Sequence, residues 1–263
     1  MSDPMMWMHL ICLFIFGVAL GSFANVIIVR LPVGESFVTP RSHCRQCRKQ
    51  LLWQHNIPLF SYLYQRGKCA YCGAGFSPRY FLIELLMGCA FCATYLAVGE
   101  QWILLEYLIL VFGLVTVSFI DIDHMILPDS FTLSGIVIGL VGSLLNPERT
   151  FLDSLMGVLL GGGFLWLIAY LYWITKNQEG MGGGDIKLLA WIGAVLGWKC
   201  VPFVILFSSL VGSLVGVLTA ARSEQGFKTE IPFGPFLALG ALVYIFGAAP
   251  IGEWYIQTFF PWL

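Results

Sequence analysis

The stretch Gly182-Gly183-Gly184-Asp185-Ile186-Lys187-Leu188-Leu189-Ala190-Trp191 places a carboxylate at the mouth of an apolar segment. The three glycines ahead of it let backbone approach backbone closely. A second acidic stretch, Asp121-Ile122-Asp123-His124, closes an earlier apolar run. Ionisable groups at membrane depth are costly to keep, so acids at the ends of two such segments point to one shared functional site.

The rest of the chain has the composition of a membrane protein. Of its 263 residues, 58% are hydrophobic and only 11% charged, against about a quarter charged in soluble domains. Net charge is −1, which implies no electrostatic pull on nucleic acid. Eight of the 14 Lys and Arg (Arg30, Arg41, Arg45, Arg48, Lys49, Arg66, Lys68 and Arg79) lie between the first two apolar runs. Positive charge of this kind stays in the cytoplasm. Met1 to Met8 is too short and too uncharged for the basic region of a cleaved signal, so the first run is expected to be a retained helix.

Taken in order, apolar runs predict spans near residues 8–29, 80–98, 102–120, 131–145, 152–174, 185–198, 201–220 and 232–249. With this count 12 basic residues fall inside and two, Arg149 and Lys199, outside. Gly17 and Gly21 on the first span mark a close helix contact, and Asn25 reads as an interhelical hydrogen bond more than a catalytic group. Glu84 either pairs with a cation such as Arg79 or lines a polar cavity. Asn146-Pro147-Glu148-Arg149 reads as a tight external turn, and Arg222 to Ile231 as a polar cytoplasmic loop.

Between the first two spans lie Cys44-x-x-Cys47 and Cys69-x-x-Cys72, with 21 residues separating the pairs. Two such knuckles predict a tetrahedral four-cysteine zinc site, structural because no position is left for water. Disulfides would be the alternative, but a cytoplasmic loop is reducing. Cys89 and Cys92 have the same spacing inside a span and are expected to be small buried packing residues. The fold class is therefore an all-α polytopic membrane protein of about eight transmembrane helices, with a small cytoplasmic zinc-binding domain between the first two. Residues 1–29 form the first helix, 30–79 the four-cysteine domain and 80–263 the helical bundle.

Asp121 and Asp185 facing one another across a water would make an aspartic peptidase, one ionised as base and one protonated as acid. Asp129, beside Pro128, is explained as a helix-start acid, and Asp123 as a solvated one. Lys187 is expected to snorkel to the headgroups. A transporter or channel using the same acids as a proton or ion relay is the alternative. It would place polar residues at mid-depth on several spans, and few are there. A membrane-anchored zinc adaptor would leave Asp185 and its glycines without a use.

The motifs together resemble the type IV prepilin peptidases. They are Gly21-Ser22-Phe23-Ala24-Asn25-Val26 with Arg30-Leu31-Pro32, the two knuckles, Asn56-Ile57-Pro58-Leu59-Phe60-Ser61-Tyr62, Arg79-Tyr80 with Glu84, Asp121 with Pro128-Asp129, and the Gly-x-Gly-Asp of Gly182 to Asp185. His55 and Phe81 depart from the usual pattern, which has an acid and a proline there. The Gly-x-Gly-Asp form is shared with other intramembrane aspartyl proteases. The resemblance implies removal of the short basic leader from type IV prepilins and type II secretion pseudopilins at the cytoplasmic face of a bacterial inner membrane. It implies methylation of the new N-terminus from S-adenosylmethionine, and it assigns catalysis to Asp121 and Asp185. The binding residues for S-adenosylmethionine and the oligomeric state are left unassigned.

Overall fold

In the computed structural model, α7, formed by the Gly183–Leu196 stretch, is enclosed by its neighbours over most of its length. The structure describes residues 4–147, 149–178, 182–222, 231–248, 250 and 258. The centre of the loop expected before Asp185, most of the polar loop after Arg222, Glu148, residues 1–3 and the expected helix end at Ala249 lie outside the described residues.

The helices are α1 (Pro4–Arg30), the short α2 (Phe60–Tyr64), α3 (Pro78–Val98), α4 (Ile103–His124), α5 (Asp129–Ser143), α6 (Phe151–Lys176), α7, α8 (Cys200–Arg222) and α9 (Gly234–Val243). A π-turn, Tyr244–Ala248, extends α9. Each apolar run expected to span the membrane is thus a helix. Among the described residues, five are long and apolar enough to cross: α1 with its 3-10 extension to Val33, α3, α4, α6 and α8. Helices α5 and α7 have 15 and 14 residues, so they rise only about 22 Å against a hydrocarbon core of about 30 Å.

The chain divides into two compact units, Met1–Leu96 and Ala97–Leu263. In the first, α1 and α3 meet through glycine. A Cβ on Gly17 would lie 2.9 Å from the Gly88 Cα, and one on Gly21 2.7 Å from the Glu84 Cα. Asn25 Nδ2 donates to the Tyr80 carbonyl at 3.1 Å, the interhelical bond its position suggested. Cys89 is exposed rather than buried, and only Cys92 turns inward, donating to the Leu10 carbonyl. At a period of 3.6, residues three apart still differ by about 60° in direction, enough to put one outside.

In the second unit α7 packs most extensively on α6 and next on α5. The α6–α7 crossing is made of backbone. A Cβ on Gly193 would fall 2.2 Å from the Gly157 carbonyl oxygen, and one on Gly157 2.0 Å from that of Gly193. On the other side the Trp191 indole fills the space left by Gly113 of α4 and Gly135 of α5, where added Cβ atoms would come within 2.0 and 2.2 Å of it. Arg149 turns inward rather than standing in an external turn. It pairs with Glu106 at 2.6 Å and donates to the Gly139 carbonyl at 3.1 Å. Breaking a buried pair by removing one partner costs about 3–5 kcal/mol, so this end of the bundle is firmly tied.

The glycine crossing gives a test on the folded protein. Gly193→Val should destabilise the detergent-purified protein by at least the ~1–3 kcal/mol of ordinary overpacking. Gly163→Ala, where an added Cβ meets nothing within 4 Å, should stabilise it by about 0.5–1 kcal/mol. Thermal unfolding of both variants checks the pair.

Candidate active site

Asp121 and Asp185 reach one region of the second unit from the ends of two helices. Asp121 lies inside α4, one turn before its end, because the helix runs past residue 120 to His124. Met125 then adopts a left-handed conformation, φ 54°, and its N–H caps the Asp121 carbonyl at 2.9 Å. Asp121 is 5% exposed, whereas Asp123 faces out. Two residues along a helix turn by about 200°, so only one of these acids can face the interior. Asp185 is in the first turn of α7, after Gly182 as N-cap.

A third helix end completes the arrangement. The Gly234 N–H, at the start of α9, donates to Asp121 Oδ2 at 3.1 Å. A Cβ on Gly234 would sit 2.7 Å from that same oxygen. Leu127, in the connection after α4, is wedged between two glycines. Its Cβ would lie 2.8 Å from a Cβ on Gly184 and its Cδ2 3.1 Å from one on Gly234. The N-termini of α7 and α9 therefore close on Leu127 from different directions. Asp185 lies within electrostatic reach of Asp121. Its Oδ1 is buried without a hydrogen-bond partner.

Lys187 pairs with Asp129 of α5 instead of simply snorkelling outward. The pair is a third to a half or more exposed. The sequence reading missed this pair, Leu127 and the Gly234 amide. A glycine before proline at a helix start, as in Phe233-Gly234-Pro235, was the available signal for the last.

The first unit carries two further sites. The sulfurs of Cys44, Cys47, Cys69 and Cys72 all lie within 4.8 Å of one another, with Cys44 and Cys72 at 3.8 Å. Four thiolates tetrahedrally placed at about 2.3 Å from zinc stand about 3.8 Å apart, so the donor set fits. The knuckles match in detail. Cys44 N–H donates to the Lys49 carbonyl and Arg48 N–H to that of Cys44, while Cys69 N–H donates to the Ala74 carbonyl and Gly73 N–H to that of Cys69. One isolated bridge flanks each, His43 with Gln50 and Lys68 with Gly75. The Cys47 and Gln46 amides draw the Cys44 thiol down to about 6. Against the pull of the Ala74 amide, burial and the neighbouring sulfurs push Cys72 up to about 11.

Beside the knuckles is a cavity of about 430 Å³. It is lined by Asn25 and Arg30 of α1, Glu84 of α3, and His55, Tyr62 and Gln65 of the intervening segment, among others. Of the two readings left open for Glu84, its position on the cavity wall selects the second. Glu84 Oε2 accepts the Leu59 N–H at 2.8 Å.

Residues 15–98 match the bacterial peptidase A24 N-terminal domain and residues 108–217 match the type IV leader peptidase family. Relatives cover nearly the whole chain. A prepilin leader peptidase/N-methyltransferase from Aeromonas hydrophila is 36% identical over 96% of this chain and 96% of its own length.

The chain belongs to the type IV leader peptidase family.

Proteins of the same name from Stutzerimonas stutzeri and Pseudomonas aeruginosa are 36% and 35% identical, covering 97% and 94% of this chain and 96% and 93% of their own lengths. No solved structure matches the chain at comparable stringency. The two family matches fall one in each compact unit, and they favour the peptidase reading over the relay.

The Lys187–Asp129 pair tests how firmly α7 is tied to α5 at this end. Half-exposed pairs contribute about 0.2–1 kcal/mol. Lys187→Met, Asp129→Asn and the double variant should yield a coupling energy in that range, shrinking as salt is raised. Thermal unfolding of the three variants at low and high salt measures it.

Proposed function

We propose that this chain is a membrane aspartic endopeptidase whose dyad is Asp121 and Asp185. It removes the short basic leader from type IV prepilins and type II secretion pseudopilins, and then methylates the new N-terminus. The observation that carries this reading is that Asp185, in the first turn of α7, lies within electrostatic reach of the buried Asp121 near the end of α4, in a member of the type IV leader peptidase family. The proposed placement is in the bacterial cytoplasmic membrane, crossed eight times, with the four-cysteine domain and both aspartates at the cytoplasmic face. The 12-to-2 split of basic residues supports it, although Lys228 lies outside the described residues. The short helix α7 is compatible with a crossing because it is walled by protein rather than lipid over residues 188–195.

Two like charges in a low-dielectric site cannot both ionise cheaply, so the pair holds one proton between them. The Gly234 amide fixes the Asp121 carboxyl, while the buried Asp185 Oδ1 has no hydrogen-bond partner and so keeps its bonding capacity for a reacting group. The ionised carboxylate takes a proton from water as its oxygen attacks the scissile carbonyl carbon. The protonated carboxyl donates to the carbonyl oxygen. Collapse of the tetrahedral intermediate then breaks the C–N bond, and the leaving amine takes a proton from the dyad. Gly182 and Gly183 are exposed ahead of Asp185, and extended peptides bind along such bare backbone.

The four cysteines would hold one structural zinc, folding a segment too small to bury a core of its own. S-adenosylmethionine would supply the methyl group in the second reaction.

Two experiments test this reading. Asp121→Asn and Asp185→Asn should each reduce prepilin cleavage by a factor of about 10³ or more, and the double variant should be little worse, since groups acting as a unit are non-additive. Asp123→Asn should stay within a few-fold of wild type. Near-normal cleavage by either dyad variant would sink the assignment. For the metal, elemental analysis should find one zinc per chain. Cys72→Ser should lose it and lower the melting temperature, because metal binding and folding are linked. Metal-free protein with the wild-type melting temperature would exclude a structural zinc.

A further inference from the structure

A groove runs along α1 on the side away from α3. Ala19, Phe23, Val26 and Arg30 recur at helical spacing on this side, opposite Gly17 and Gly21, which meet α3. They form one wall of a groove of about 540 Å³, within the ~300–1,000 Å³ range of ligand sites. Phe37, Val38 and Trp53 belong to the other wall. From Ala19 to Arg30 the groove follows about 16 Å of helix. That helix lies in the Pro4–Val33 segment, which is long and apolar enough to cross a membrane. The Phe37 ring stands 6.1 Å from that of Phe23 between centroids, so the chain leaving α1 folds back along it to apolar depth. Val38 and Trp53 are 72% and 77% exposed, and tryptophan favours the level of lipid headgroups.

The two ends of the groove differ in chemistry. The Ala19 end is apolar, while the other end holds Arg30 and Arg41, and no acid is among the described lining residues. Arg30 is 8% exposed, and among the described residues no carboxylate pairs with it. Its Nη1 donates to the carbonyls of Ser36 at 3.1 Å and Pro40 at 2.8 Å. The edge formed by Nε and Nη2 keeps its donors, and this is the edge that grips a phosphate through two parallel hydrogen bonds. A cation this buried calls for an anion. Arg41 is exposed. An anionic group joined to an apolar tail satisfies both ends at once. Residues 31–79 carry seven Lys and Arg against Glu35 alone, which draws the segment toward an anionic membrane surface. We propose that this groove binds an anionic phospholipid, its phosphate on Arg30 and Arg41 and the upper part of one acyl chain along Val26, Phe23 and Ala19. The proposal rests on α1 crossing the membrane and is independent of the peptidase reading.

The test uses full-length protein in detergent and reads bound lipid. A photoactivatable phosphatidylglycerol should label peptides within residues 19–58 and saturate. Unlabelled phosphatidylglycerol should compete about tenfold or more better than phosphatidylcholine of the same chains, and glycerol phosphate, which lacks the tail, should not compete. Arg41→Gln should weaken binding about fivefold, the effect of one cation at a lipid surface. Ala19→Phe, which fills the apolar end, should weaken it as well. Arg30→Gln should weaken it most, and the melting temperature reports whether that variant has also lost its hold on Ser36 and Pro40. If it has, Arg41→Gln and Ala19→Phe decide the matter. Label spread over the helices of both units, or equal competition by the two lipids, would overturn the proposal. Unchanged affinity in both Arg41→Gln and Ala19→Phe would do the same. Displacement of the lipid by stoichiometric prepilin would also overturn it and make the groove a substrate site. Prepilin cleavage by the same samples reports on the peptidase reading separately.

Discussion

The contact between Gly157 and Gly193 sets the distance between α6 and α7, and much of the second unit follows from that distance. Two helices this close have no room for side chains at the crossing, so backbone packs on backbone. In a bilayer there is no hydrophobic gain from bringing apolar helices together, and close packing supplies the attraction instead. Pulling α7 against α6 leaves its other faces for α5 and α4. There the opposite device operates, with one large side chain, Trp191, entering the spaces of Gly113 and Gly135. Helix α7 is fixed on one side by two absent side chains and on the other by one bulky one.

A helix held in this way can position its ends. At one end Asp185 is presented beside Asp121, and Leu127 is locked between Gly184 and Gly234. On the far side of the enclosed stretch the chain turns at Gly197, φ 80°, next to the Arg149 and Asp153 side chains. Arg149 in turn carries the Glu106 pair and the Gly139 carbonyl. A carboxyl placed by a helix inside a packed bundle has little freedom, and the proposed catalysis by two acids would require their separation to be held to about half an ångström. The placement of Asp185 and the packing of Trp191 are therefore one constraint at two points along the same helix.

This explains which parts were readable from the chain. Apolar runs give helices because every backbone polar group must be satisfied within the segment in lipid. The knuckles were readable because only two residues separate the ligands in each pair. Gly17 and Gly21 announced a helix contact because small residues one turn apart make a groove. What could not be read depends on residues far apart in sequence. The Gly234 amide meets Asp121 across 113 positions and Lys187 meets Asp129 across 58. Nothing local to Arg149 says that it turns inward, since Glu106 is 43 positions away. The end of α4 was placed too early for a different reason. Asp121, Asp123 and His124 look like loop residues by polarity, yet the helix continues through them because only one face of it is buried.

The first unit spends backbone strain on a polar contact, which separates it from ordinary loop structure. Leu59 has φ 61° and ψ −53°, and the Phe60 N–H closes a tight turn onto the Pro58 carbonyl at 2.7 Å. This is a γ-turn of the rare hand. A leucine in such a conformation costs about 1–3 kcal/mol and persists only where its surroundings over-determine it. They do so here. Ser61 Oγ accepts the Ile57 N–H at 2.8 Å and donates to the Gln54 carbonyl at 2.9 Å, pinning the turn from its inner side. The strained residue then delivers its own N–H to Glu84. Leaving a buried donor or acceptor unpaired costs about 1–3 kcal/mol, which is comparable to the strain. The Asn56-to-Tyr62 run is thus shaped around one carboxyl on the cavity wall, as the starts of α7 and α9 are shaped around Leu127.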